Sequence, residues 1–152
     1  MKTYSLIIFI LISFSCRSQS QLDLFYMEIK KQFPTAHIIK KNIITNDDYY
    51  KDYIKFLSDD LNQKIAFSNP KNIAFDLIIN DNIYRVNFIV FEIDKHHINS
   101  YRTGQFNTKA LISYYYTEKK DKGYLLLFNK FITEKNTVVN KIISILNNQL
   151  LN

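Results

Sequence analysis

Glycine is nearly missing from this chain of 152 residues, which has only Gly104 and Gly123. Phosphate cradles of bare backbone, the dinucleotide fingerprint and the G-x-S-x-G nucleophile elbow each need several glycines at fixed spacing. Nucleotide-dependent enzymes of those kinds and α/β-hydrolases of the usual kind are therefore excluded. Cysteine occurs once, at position 16. One cysteine closes no intramolecular disulfide, so the fold must be held by its core. Thiol catalysis and cysteine-ligated zinc are excluded for everything that follows it. No low-complexity linker and no internal repeat beyond two hairpin-like segments interrupts the chain.

The first residues carry an export pattern. Lys2 supplies a positive start, and residues 4–14 (YSLIIFILISF) form an apolar run of about 11 residues. That is within the roughly 7–15 of a signal segment and short of the ~20 that span a bilayer. Residues 1–15 are thus expected to be a removed signal peptide. The ISFSC run ending at Cys16 resembles the lipobox of bacterial lipoproteins, in a relaxed form similar to that of Bacteroidota-type envelope lipoproteins. Ser13 stands where that family generally has Leu, and Phe14 where a small residue is commoner. The resemblance covers residues 1–16 only. It implies that Cys16 is lipidated, that residues 16–20 are a short tether, and that the protein is anchored in the cell envelope. The stretch Arg17-Ser18-Gln19-Ser20 lacks the acidic residues some such lipoproteins use for surface export, so the resemblance implies a periplasm-facing anchor. Ordinary cleavage after Ser18-Gln19-Ser20 is the alternative, and gives a secreted soluble protein.

Residues 21–152 are expected to form one α+β domain. A mature chain of about 130 residues buries around two-thirds of its unfolded surface, and 47% hydrophobic, 15% aromatic and 22% charged residues describe a globular chain. The net charge of +6 comes from lysines interspersed with acids. This is a solvated surface without an arginine-rich stripe, and with export it argues against a nucleic-acid partner.

Leu22, Phe25, Tyr26, Ile29 and Phe33 recur at helical spacing, which predicts a helix over 21–33 capped by Ser20 and stopped by Pro34. Residues 36–45 are ambiguous between a short extended piece and a loop. A second helix is predicted from Thr45 or Asn46, with Tyr50, Tyr53, Ile54, Leu57, Leu61 and Ile65 facing inward and an end at Ser68-Asn69-Pro70. From Asn72 the period becomes two. A two-residue turn at Asp81-Asn82 pairs Leu77 with Val86 and Phe75 with Phe88, keeping apolar residues opposite one another. A third strand places Ile112, Tyr114 and Tyr116 on the apolar side, and after residues 118–123 Tyr124, Leu126 and Phe128 answer from a fourth. A last helix is predicted from about Glu134, capped by Thr133. The expected architecture is a four-stranded antiparallel meander with two N-terminal helices and one C-terminal helix packed on one face. The other face, carrying Asp76, Arg85, Asn87, Lys109, Ser113, Tyr115 and Asn129, is expected to be partly open to water.

Two constellations carry possible chemistry. Residues 92–107 read as a polar loop holding His96 and His97 near Glu92 and Asp94, a set that could ligate a metal or supply a general base. Adjacent histidines on an extended chain point apart, and no H-x-H, H-x-x-x-H or H-E-x-x-H spacing is present. The preferred reading is a solvated loop whose histidines are incidental, with no metal and no cofactor. The second constellation is the open sheet face, where Arg85, Asn87 and Tyr115, with Tyr101 and Arg102 from the loop, are candidate binding residues. The functional expectation is an envelope lipoprotein that binds a protein partner without catalysis. An immunity protein that neutralises a toxin is one alternative, and a small hydrolase or metal-binding protein using the 92–107 loop is the other.

Overall fold

The first helix, α1 (Gln21–Gln32), starts where Ser20 Oγ accepts a hydrogen bond from the Asp23 backbone N–H at 3.2 Å, and it stops just before Pro34. In the computed structural model, which describes residues 20–41, 47–106 and 108–151, the chain is α+β. After α1 come β1 (His37–Lys41), α2 (Asp47–Leu61), β2 (Phe67–Ile79), β3 (Asn82–Ile93), β4 (Tyr101–Phe106), β5 (Ile112–Lys119), β6 (Lys122–Phe128) and α3 (Thr137–Leu151). The strands form one antiparallel sheet in the order β1-β2-β3-β6-β5-β4. Among the described residues six strands replace the expected four. The ambiguous piece after α1 is the edge strand β1, and the supposed loop 92–107 contains the other edge strand, β4.

The helices do not share a face. α1 and α3 bury Phe25, Ile29, Val139, Ile142, Ile145 and Leu146 against Phe75, Leu77, Phe88, Leu126 and Phe128. On the opposite side α2 buries Tyr50, Ile54 and Leu57 against Ile89, Phe91, Tyr114, Tyr116, Leu125 and Leu127. The sheet is therefore the middle of three layers, which corrects the one-face expectation. The physical reason lies in β5 and β6. The runs SYYYT and YLLLF are apolar at consecutive positions and so supply both faces, as strands covered on both sides do.

Register follows the turns. Asn80 and Asp81, with φ of 47° and 62°, form the β2–β3 turn, and Ile79 pairs with Asn82. Both central residues are left-handed, as the two-residue turn matched to strand twist requires. Leu77 thus faces Tyr84, and Phe75 faces Val86. This is two residues from the expected register and leaves every side chain on its expected face. At the second hairpin Lys120 is left-handed (φ 56°) and Lys119 pairs with Lys122, so Leu126 lies opposite Tyr115 rather than on the side of Tyr114 and Tyr116. Here the slip is odd, and the face assignment of β5 reverses.

Helix α2 ends at Leu61 because Asn62 takes the left-handed conformation (φ 51°) of a helix C-terminus. Ser68-Asn69-Pro70 lies instead at a bulge in β2. Its expected caps, Thr45 and Asn46, are outside the described residues, as are Cys16, the signal segment and all of the tether but Ser20. Helix α3 begins three residues later than expected, with Asn136 Oδ1 accepting from the Val139 N–H at 3.3 Å. Gly123 lies where a ring rests on the backbone, since a Cβ there would stand 2.5 Å from Phe91 Cε2. Among the described residues no helix is long and apolar enough to cross a membrane.

Candidate functional site

On the α2 side the sheet is left uncovered only in part. Beyond Tyr49 and Tyr53 in the first turns of α2, the β1–β2–β3 end opens as a groove of about 560 Å³ reaching Leu111 and Asn129. Cross-strand partners Asp76 and Arg85 form its floor. The Asp76 carboxylate is 13% exposed, and Lys41 Nζ lies 3.1 Å from it. Arg85 Nε is 3.9 Å from the same carboxylate, beyond hydrogen-bond reach, and its side chain is 70% exposed. One acid thus faces two cations, and the planar guanidinium fork is left largely unengaged among the described residues.

A chain of hydrogen bonds leads inward from the groove residues Tyr49 and Asn87. Tyr50 hydroxyl donates to Asn72 Oδ1 at 3.1 Å, Asn72 Nδ2 to Asn87 Oδ1 at 3.0 Å, and Asn87 Nδ2 to the Tyr49 hydroxyl. Burial holds the Tyr49 phenol well above the usual tyrosine range, and burial likewise raises Tyr53. Both remain neutral hydrogen-bonding groups rather than bases.

A second polar cluster lies under the segment between β3 and β4. The Glu118 carboxylate, 1% exposed, accepts from Tyr116 hydroxyl at 2.5 Å and from the backbone N–H of His97 at 2.8 Å and Ile98 at 3.4 Å. It also contacts Nδ1 of His96 at 3.2 Å and of His97 at 3.1 Å. Burial, then the bond to Glu118, pushes the Tyr116 phenol far upward. The His97 side chain is fully buried, and its Nε2 has no hydrogen-bond partner among the described residues, with Asp94 Oδ1 3.9 Å away. His97 is therefore not an incidental group in a solvated loop. It is a buried anchor in a seven-residue connection, 94–100, and this corrects the sequence reading. His96 is 56% exposed. Glu92 stands apart, accepting from Ser68 Oγ and Asn69 Nδ2 on β2.

A third cluster joins α2 to β4 and β5. Arg102 Nε lies 3.2 Å from Asp60 Oδ2, which also accepts from the Tyr114 hydroxyl. The bond to Asp60 raises Arg102, and burial followed by Asp60 raises Tyr114.

The expected binding residues are thus divided. Arg85 and Asn87 line the groove, and Arg102 shares their face of the sheet but is engaged at Asp60. Tyr115 is 4% exposed, not open to water. It packs in the α1–α3 layer and donates to Asn147 Oδ1 at 2.7 Å. Ser113 is buried as well, at 1%. Tyr101, 61% exposed, stacks on Tyr115 at 5.5 Å on that same side, away from the groove. The residues that sequence reasoning missed are Glu118, Tyr49 and Lys41. Glu118 had one signal, its position two residues beyond Tyr116 on an alternating face.

Among the described residues, no group of three or more His, Cys, Asp and Glu side chains is placed to hold a metal ion. No family model, no curated protein and no solved structure matches this chain.

Proposed function

We propose that this protein is a lipid-anchored binding module of the cell envelope that takes an acidic group of a protein partner into the groove at Lys41, Asp76 and Arg85. The observation that carries the reading is the surplus cation: Asp76 is matched by Lys41, while Arg85 presents its fork at the groove floor. Apolar Leu111 and Ile112 and the phenols of Tyr49 and Tyr53 offer contact area around it. A hydrolytic role is disfavoured because none of His96, His97 and Glu118 lines the groove, and the His97–Glu118 pair has both side chains buried, at 0% and 1% exposure. The anchor rests on the ISFSC resemblance at Cys16.

The test uses the full chain in a bacterial host. Labelled fatty acid should enter the protein and be lost in Cys16→Ser, together with membrane fractionation. A photo-reactive phenylalanine analogue at Leu111 should give a discrete protein adduct that Arg85→Glu removes, while the same analogue at Asp59 gives none. Identical adduct patterns at the two positions, or a Leu111 adduct indifferent to Arg85→Glu, would sink the groove assignment.

A further inference from the structure

The outward side of α1 mixes exposed apolar side chains with its charges. Phe25 and Ile29 point into the core, which leaves Leu24, Met27 and Lys31, spaced i, i+3 and i+7, on the opposite side. Leu24 is 43% exposed and Met27 54%. Helix α3 runs antiparallel to α1. Lys141 Nζ donates to the Gln32 carbonyl at 2.8 Å, and Glu28 shares a surface hollow with Ser144 and Asn148 further along α3. The ten residues from Lys141 to Leu151 advance about 15 Å, as do those from Gln32 back to Leu22. Leu151, 82% exposed, therefore comes to the N-terminal end of α1.

We infer that this outer surface, Leu24 and Met27 with the adjoining end of α3, rests on the phospholipid bilayer and inserts its apolar side chains at the headgroup level. The inference rests on the lipid anchor proposed at Cys16. Only five residues lead from Cys16 to Gln21, which reach at most about 18 Å even fully extended. The start of α1 thus cannot stand far from the membrane that holds the anchor. Lys141 is the one charged residue of α3, and α1 carries two acids and two lysines. These charges nearly balance, three lysines against two acids, so the contact is apolar rather than electrostatic. The groove, on the other side of the sheet, then faces away from the membrane toward a partner.

The chain has no tryptophan, so Met27→Trp and Leu24→Trp each install a single reporter at an exposed position, and Lys55→Trp on the outer side of α2 serves as control. The mature protein is placed in vesicles containing brominated phospholipid, which quenches nearby indole. Quenching of most of the emission at positions 27 and 24, little at 55, and no change between low and high salt is the expected result. Protein that carries fatty acid and stays on the vesicles, yet is unquenched at 24 and 27, overturns the seating and leaves the anchor standing. Emission that is blue-shifted but unquenched overturns it in favour of a second copy covering the surface. Failure of the wild-type chain to take up fatty acid and associate with membranes removes the anchor itself, and the seating with it.

Discussion

Glu118 is the residue on which most depends. Its carboxylate receives the Tyr116 hydroxyl, two backbone N–H groups and two imidazoles while 1% exposed. Donors left in that site without an acceptor would each carry a desolvation cost of about 1–3 kcal/mol. Glu118→Ala should therefore lower stability by about 3 kcal/mol or more. The measurement is a fall in urea midpoint at unchanged m-value. Glu92→Ala is expected to stay within about 1 kcal/mol, because its partners Ser68 and Asn69 are exposed and regain water. Equal losses in the two variants would mean that the Glu118 carboxylate is no more shielded from water than that of Glu92. The sequence offered Glu92 beside the histidines and passed over Glu118. Nearness along the chain cannot show which carboxylate a fold brings back from 21 residues away.

At the scale of elements, the β2–β3 turn is the sharpest test of register. Asp81 holds φ at 62°, a conformation that costs a residue with a Cβ more than it costs glycine. Asp81→Gly should raise stability by about 0.5 kcal/mol, and Asp81→Val should lower it by at least about 1 kcal/mol, read as opposite shifts in melting temperature. Asn82, paired with Ile79 in the strand, should gain nothing from the change to glycine, and a gain there equal to that at Asp81 would place the turn at Asp81-Asn82. The strand faces of this hairpin were legible because Ile73, Phe75 and Leu77 alternate with polar or smaller neighbours, and an error of two residues preserves a face. Three consecutive tyrosines in β5 and three leucines in β6 carry no alternation, so an error of one residue there went unmarked. β4 was unreadable for another reason. As an edge strand its only buried residue is Phe106, and Gly104 and Arg102 break any pattern. The groove was legible as far as Arg85 and Asn87, but not Lys41, which is placed by β1 pairing with β2, nor Tyr49, which is placed by α2 crossing the face that was expected to be bare.

In the molecule as a whole, two buried layers hold an unusual load of phenols. Tyr49, Tyr53, Tyr114, Tyr115, Tyr116 and Tyr124 are all raised above the ordinary tyrosine value, in each case chiefly by burial. The native state therefore keeps protons that the unfolded chain sheds. Stability from this source is whole below about pH 10 and falls above it, each withheld proton adding about 1.4 kcal/mol per pH unit to the slope. Urea midpoints measured from neutral to strongly alkaline pH should drop steeply past that point. Phenolate absorbance of these tyrosines should appear only as circular dichroism is lost, and ionisation of all six with the fold intact would contradict this burial. The strand order has a further consequence. β1-β2-β3 and β4-β5-β6 are two three-stranded halves that meet along β3 and β6 and are joined in the chain by residues 94–100. A short connection of that kind is where two copies of a protein trade halves when it straightens. Glu118, reaching from β5 to hold the backbone of His97 and Ile98, keeps the connection bent, so that each chain closes its own sheet instead of its neighbour's.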